Sequence, residues 1–151
     1  MEETTLPFFR LIGLHCRTSP KTAPADTAAL WQHWHDSGAD GRIKAFSRTV
    51  YCAYHDYEDS IGGAHGVTLG KLVTVSTEVP EGLDELWVPP QRYALYRSEQ
   101  TGQQAAAAIW QQIHASSDSL QRAGKVDFEA YPNSGGTLVY VGIETGSIEH
   151  T

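Results

Sequence analysis

The sequence has 151 residues, 40% of them hydrophobic and 19% charged, which is the size and composition of one soluble globular domain. The formal net charge is −7 and the eleven lysines and arginines are scattered, so we expect no direct DNA binding. An acidic protein attracts cations, although the same charge can serve solubility alone. With no apparent signal peptide and no run of apolar residues long enough to cross a membrane, a cytoplasmic location is expected.

Periodicity predicts a strand, a helix and two more strands in the first half of the chain. A nearly continuous apolar run predicts a buried strand over residues 8–16. A loop containing two prolines follows, and a helix is then expected from about residue 26 to 36, ended by Ser37-Gly38. Two strands are expected at 49–57 and 67–77, on either side of a Gly62-Gly63 turn.

The second half shows the same succession of elements. A strand is expected over residues 86–97, with Pro89-Pro90 near its start, where lost amide donors can be tolerated. A helix should begin at a capping box made by Thr101 and Gln104, and should end near residues 116–118. Two further strands are expected at 126–131 and 138–144.

Two landmarks recur in the same order, which indicates an internal duplication. Trp31, with a histidine four residues later, recurs as Trp110, 79 residues on, and the Ala-Tyr pair ending at Tyr54 recurs at Tyr131, 77 residues on. We therefore expect an α+β fold made of two tandem strand-helix-strand-strand repeats, at about 6–79 and 83–145, within one domain spanning 1–151. A duplicated unit of this kind forms a cleft where its halves meet, and clefts bind small molecules.

Several segments resemble the GyrI-like small-molecule-binding family, known as the effector-binding domain of AraC-type activators. The similar segments are Tyr-Cys-Ala-Tyr at 51–54 with the acidic stretch and glycine pair after it, Val-Pro-Pro-Gln-Arg-Tyr-Ala-Leu-Tyr at 88–96, Asp-Phe-Glu-Ala-Tyr at 127–131, and the final strand at 138–143. The resemblance covers nearly everything from Phe9 to Glu144. Four motifs in the right order are fairly specific.

The resemblance implies two modules related by pseudo-twofold symmetry, with antiparallel sheets, helices on one face and a central ligand groove. Such domains sense effectors in multidrug-responsive transcription activators. They also occur alone, as gyrase-inhibitor-like proteins and as drug-binding proteins of integron gene cassettes. This chain has no room for a helix-turn-helix domain and is similar to the stand-alone form. A regulator or gyrase is then a possible protein partner, and the sequence does not reveal an oligomeric state.

Glu129 is the residue that the resemblance assigns as countercharge for a cationic drug. Strand alternation places Glu129 and Tyr131 on one face of their strand and Phe128 on the other. If Phe128 faces the helices and the core, Glu129 and Tyr131 face the groove. A carboxylate among aromatic side chains is costly to ionise unless a cation or a donor satisfies it, and it would favour a delocalised cation. The alternative is that Glu129 pairs with Arg122, Lys125 or another surface basic group.

Six aromatic side chains are candidates to line the groove. Strand alternation places three of them opposite buried neighbours: Tyr54, Tyr131 and Tyr140. Trp87 and Tyr93 straddle the first strand of the second half, and one or both are expected to form a pocket wall. Trp110 lies on a helix stripe whose usual role is core packing, and it is a further candidate contact.

Glu58, just before the glycine turn, is a candidate second acidic group at the groove mouth, although a solvated turn carboxylate is the simpler interpretation. Two carboxylates across a pocket would permit acid-base chemistry. Some GyrI-like proteins, the family that this chain resembles, are understood to open strained electrophilic rings with such groups. The position that matches Glu129 in the first half is Cys52, which weakens the enzyme hypothesis without removing it.

No cofactor or metal site is expected. His33 and His35 point to different sides of their helix, and Cys52 and His55 fall on opposite faces of one strand, so neither pair suits a shared metal. The glycine pair lacks the lysine and helix of a phosphate loop. Cys16 and Cys52 lie in apolar stretches, which favours buried free thiols.

Three functional hypotheses follow. The first is a stand-alone protein that binds hydrophobic cationic small molecules, either to sense or to sequester them, with Glu129 as countercharge and tyrosines as stacking walls. The second is a hydrolase that detoxifies reactive electrophilic metabolites. The third is an interaction protein that acts on gyrase or a regulator.

Overall fold

The computed structural model describes residues 2–58, 63–115 and 120–144, which form eight strands and three helices. In chain order the elements are β1 (Glu2–Leu6), β2 (Phe9–Thr18), α1 (Ala23–Ser37), α2 (Ala39–Arg42), β3 (Val50–His55), β4 (His65–Val73), β5 (Asp84–Val88), β6 (Gln91–Ser98), α3 (Gln103–Ala115), β7 (Val126–Tyr131) and β8 (Thr137–Gly142).

The strands form one antiparallel sheet in the order β1-β6-β8-β7-β3-β4-β2-β5. Each half supplies the predicted strand-helix-strand-strand succession, β2-α1-β3-β4 and β6-α3-β7-β8. The halves meet where β3 pairs with β7, and the strand order on one side of this junction mirrors the order on the other. The α+β architecture with pseudo-twofold symmetry is therefore confirmed. The predicted repeat boundaries, 6–79 and 83–145, remain a prediction.

The edge strands connect the two halves in a way that was not expected. The strand predicted over 86–97 is in fact two strands, β5 and β6, separated at Pro89-Pro90. Two consecutive prolines have no amide N–H to donate, so the ladder breaks there and the chain can change partners. As a result β5 pairs with β2 of the first half, whereas β1, which precedes β2, pairs with β6 of the second half.

The long helices lie on one face of the sheet, at either side of the central β3–β7 pair. Leu30, Trp31 and Trp34 of α1 pack on the first-half strands, and Ile109 and Ile113 of α3 pack on β6 and β8. Because the helices cover the flanks, the central pair is left at the floor of a groove between them. The opposite face of the sheet has its own aromatic cluster, centred on Tyr93 and Phe128.

The ends of the helices are set by local chemistry. Gly38 ends α1 in the left-handed conformation, with φ of 69°, which a residue with a side chain rarely adopts. The predicted capping box at the start of α3 is wrong, because the helix begins one residue too late for Thr101 to be its cap. Thr101 Oγ1 instead accepts a hydrogen bond of 2.8 Å from the Gly136 amide, which ties α3 to the β7–β8 turn. The predicted end of this helix, at 116–118, lies outside the described residues.

Candidate ligand-binding groove

The groove between α1 and α3 is the candidate functional site. It encloses about 620 Å³, a volume typical of small-molecule sites. Its floor is the β3–β7 junction, where Glu129 and Cys52 lie directly opposite each other in the ladder. Residues of both helices form the walls, and Trp31 and Trp110 face the groove from opposite sides.

Glu129 is buried, with 4% of its surface exposed, and three side chains donate hydrogen bonds to its carboxylate. The Tyr54 hydroxyl and the Trp110 indole N–H donate to Oε2, at 2.7 and 2.8 Å. The Tyr131 hydroxyl donates to Oε1. Burial raises the pKa of both tyrosines, so their hydroxyls stay protonated as donors.

The negative charge of Glu129 is not balanced by a basic residue. Within residues 2–58, 63–115 and 120–144, no lysine, arginine or histidine forms an ion pair with it. Burial raises the pKa of the Glu129 carboxyl above its usual range, and the three hydrogen bonds only partly oppose this effect. The suggested pairing with Arg122 does not occur, because Arg122 Nη2 lies 2.7 Å from Oδ2 of the fully buried Asp127.

The aromatic walls obey the pseudo-twofold symmetry. Trp31 packs edge-on against Tyr131, with ring centroids 5.3 Å apart, and Trp110 packs edge-on against Tyr54 at 6.1 Å. Each tryptophan also has a histidine one helical turn later, 6.2 Å away in the first half and 5.9 Å away in the second. The groove therefore offers two similar aromatic boxes.

The floor breaks this symmetry. At the position equivalent to Glu129 stands Cys52, which is fully buried, and burial raises the pKa of its thiol well above the usual range. The Cys52 thiol therefore stays neutral. One carboxylate thus serves both aromatic boxes, and in the described residues no histidine, cysteine or carboxylate cluster suits a metal ion.

The comparisons with known proteins agree with this geometry. The model of a family described as Cass2, integron-associated effector binding protein, matches residues 4–144. The chain belongs to this family. No curated protein matches the sequence significantly.

Solved structures similar to this Cass2-family chain share its fold at low identity. SAV2435, determined with bound tetraphenylphosphonium, is 15% identical, with a TM-score of 0.80 over 99% of this chain and 95% of SAV2435. The integron cassette protein VCH_CASS2 of Vibrio cholerae is 18% identical, with a TM-score of 0.79 over 95% of each chain. A Staphylococcus aureus MU50 protein described as a transcription regulation protein is 14% identical, with a TM-score of 0.75 over 95% of this chain and 97% of that protein.

Four of the eight residues predicted to bind ligand meet in the groove of this Cass2-family chain. They are Glu129, Tyr54, Tyr131 and Trp110. Their placement from the sequence assumed, however, that Phe128 faces the helices. This assumption is wrong, since Phe128 lies on the face without helices. The groove is on the helix-bearing face, and Glu129 and Tyr131 point toward the helices.

The other four predicted residues lie outside the groove. Tyr140 pairs with Phe128 in the ladder and so shares its face, and Tyr93 is fully buried beside them. Trp87 is 48% exposed on the edge strand β5, where it stacks near Phe8. Glu58 is exposed after the end of β3, as a solvated turn carboxylate. These four do not line the groove.

Other groove residues were not selected from the sequence. In the sequence, Trp31 and His114 stood out only as parts of the repeated motif. His35 lines a neighbouring cavity with Trp31 and Tyr131. The signal was present, because a tryptophan and histidine that recur on equivalent helices must face the same symmetric feature.

No helix among the described residues is long and apolar enough to cross a membrane.

Proposed function

We propose that this protein binds hydrophobic cationic small molecules in the groove between α1 and α3, with Glu129 as the countercharge. The observation that carries the proposal is a buried carboxylate that has no basic partner among the described residues and lies at the floor of an open aromatic groove. Desolvating an unpaired ion costs several kcal/mol, and a bound cation would offset that cost. The same site would repel an anion.

The walls favour a cation of particular chemistry. Trp31 and Trp110 flank the carboxylate, and aromatic faces attract cations through their quadrupole. A compact ion such as ammonium holds its water tightly and has little apolar surface to bury. A cation whose charge is spread over aromatic groups loses less hydration and gains contact with both aromatic boxes. Lipophilic dyes and phosphonium ions meet this description.

The comparisons support the proposal from two directions. The family is one of integron-associated effector binding proteins. A protein with the same fold, SAV2435, was determined with the lipophilic cation tetraphenylphosphonium. At 15% identity this neighbour supplies a precedent for the fold and not a residue-by-residue model. In this chain, binding would serve effector sensing or drug sequestration.

Calorimetric titration with tetraphenylphosphonium tests the proposal. We expect micromolar binding by the natural protein and at least tenfold weaker binding by Glu129→Gln, a loss of about 1.4 kcal/mol. Gln keeps the shape and one acceptor oxygen but removes the charge. Glu58→Gln is the matched control, since it removes one charge outside the groove and should leave the affinity unchanged. Equal weakening in both variants would contradict a specific role for Glu129.

A further inference from the structure

The face of the sheet without helices contains a second cavity, separate from the groove. It encloses about 240 Å³. We call it the reverse-face pocket, and its aromatic walls are Phe9, Tyr51, Phe128 and Tyr140. Leu6, Pro7 and Leu72 complete its lining. Phe128 and Glu129 are consecutive residues of β7, so the two cavities lie back to back across the sheet.

The rings of the reverse-face pocket hold one another in fixed positions. Phe128 is buried and stacks nearly parallel on Tyr140, with centroids 4.4 Å apart and an interplanar angle of 16°. Phe9 packs edge-on against Phe128 at 5.3 Å, and Tyr51 lies tilted at 5.9 Å. Such offset and edge-on arrangements are the favourable ones for aromatic pairs. The pocket is therefore preformed by ring packing, and it presents flat apolar surfaces.

The chemistry of this pocket is the opposite of the chemistry of the groove. Its lining carries no charged side chain. The only polar side-chain groups in the lining are the hydroxyls of Tyr51 and Tyr140, and neither forms a hydrogen bond with another protein group in the described part of the chain. Burial raises the pKa of both phenols, which keeps them neutral and able to donate and accept. A charged ligand would be desolvated here without a partner, at high cost.

We propose that the reverse-face pocket binds neutral, flat aromatic compounds of one or two rings that carry a hydrogen-bonding substituent. The size fits, because an apolar cavity of roughly 150 Å³ accommodates benzene. The substituent would engage the two free phenol hydroxyls, and the rings would lie against the aromatic walls of the pocket. The protein would then have two ligand sites of different chemistry, one for cations and one for neutral compounds.

The probe that tests this inference is 2-naphthol, which is neutral at pH 7 and has two fused rings with one hydroxyl. We expect it to bind with one-to-one stoichiometry in a calorimetric titration. A saturating concentration of tetraphenylphosphonium should not displace it, and Glu129→Gln should not change its affinity. The Tyr51→Phe, Tyr140→Phe double variant, which keeps all four rings, should bind it at least fivefold more weakly. A pocket-filling variant, Leu72→Trp, should abolish binding.

Three results would overturn the proposed ligand site in the reverse-face pocket. Competition between 2-naphthol and tetraphenylphosphonium would place both in the groove and overturn the second site. Unchanged affinity in the double Tyr→Phe variant would also overturn it. Sedimentation that shows a dimer dissociated by 2-naphthol would assign this face to a second copy of the chain instead. Failure of the cation proposal would leave these results unaffected, because the probe carries no charge and the variants lie on the other face.

Discussion

Trp31 and Trp110 provide a matched pair that tests, through the pH dependence of stability, the contribution of one hydrogen bond to the charged floor of the groove. Both tryptophans occupy equivalent places on their helices, and each packs edge-on against a strand tyrosine. Only Trp110 has a carboxylate in reach, since its N–H lies 2.8 Å from Glu129 Oε2, whereas the equivalent floor position is Cys52. Replacing either residue by Phe shortens the ring, but only Trp110→Phe removes a donor from a buried charge.

The expected size follows from this contact. A hydrogen bond to a charged group contributes about 1.5–3 kcal/mol to stability, and the loss of ring area is common to both variants. Trp110→Phe also removes one of the three hydrogen bonds that lower the pKa of Glu129 against the larger effect of burial. The stability lost in Trp110→Phe should therefore depend on pH. It should be greatest where Glu129 is ionised and smaller in acid, where a neutral carboxyl needs the donor less.

Urea unfolding of both variants at several pH values measures these losses. Trp31→Phe is the control, and its stability loss should be the same at every pH. A change in the Trp110→Phe loss of about 1.5 kcal/mol or more between alkaline and acidic conditions would agree with the structure. If the two variants lose stability in parallel at all pH values, the indole of Trp110 does not donate to an ionised Glu129 in the folded protein.

Three further predictions follow. Because the pKa of Glu129 is raised, the cation affinity should fall as the pH drops through a range higher than that of an ordinary glutamate, and an affinity that does not change with pH would contradict this. Over the same fall in pH the free protein should gain stability from protonation of Glu129, and a free energy of unfolding without that gain would contradict this second effect. Gly13→Ala should lower the stability measured by thermal unfolding by about 3 kcal/mol or more, since a Cβ there would lie 1.7 Å from a backbone oxygen of β4. The control is Gly41→Ala, which has open space around it and should be nearly neutral. Equal effects of the two substitutions would argue against the close approach of Gly13 to β4. Arg122→Met should lower the free energy of unfolding by about 3–5 kcal/mol, because it leaves Asp127 buried without its cation. Adding Asp127→Asn should recover part of that loss, and no recovery would show that the lost ion pair is not the cause.

Periodicity was sufficient to predict most elements and the way they combine. The long helices α1 and α3 and the strands β2, β3, β4, β7 and β8 follow patterns of apolar spacing that reflect which face each element buries. β1 was missed because Glu2–Leu6 is an edge strand, mostly exposed, with no alternating apolar face. The break between β5 and β6 was also missed. It lies at Pro89-Pro90, a pair that was expected near the start of a single strand, where lost amide donors can be tolerated. Edge strands are decided by partners distant in the chain, which local patterns do not contain.

The candidate site shows the same division between local and distant information. Alternation placed Glu129 and Tyr131 together on one face, which depends only on neighbouring residues. It could not show which face the helices cover, or that Tyr140 lies opposite Phe128 in the ladder. That register depends on how β7 and β8 pair. The groove position of Trp31 could have been inferred from the repeat, since symmetry places it on the helix face equivalent to that of Trp110.

A crystal structure of the protein with tetraphenylphosphonium would show directly whether Glu129 is the countercharge. The phosphonium should lie between α1 and α3, with its charged phosphorus within about 6 Å of the Glu129 carboxylate, a distance at which opposite charges favour each other. Its phenyl groups should contact Trp31 and Trp110. A phosphonium bound elsewhere, or a groove that stays empty at saturating concentration, would contradict the assignment of Glu129 as the countercharge.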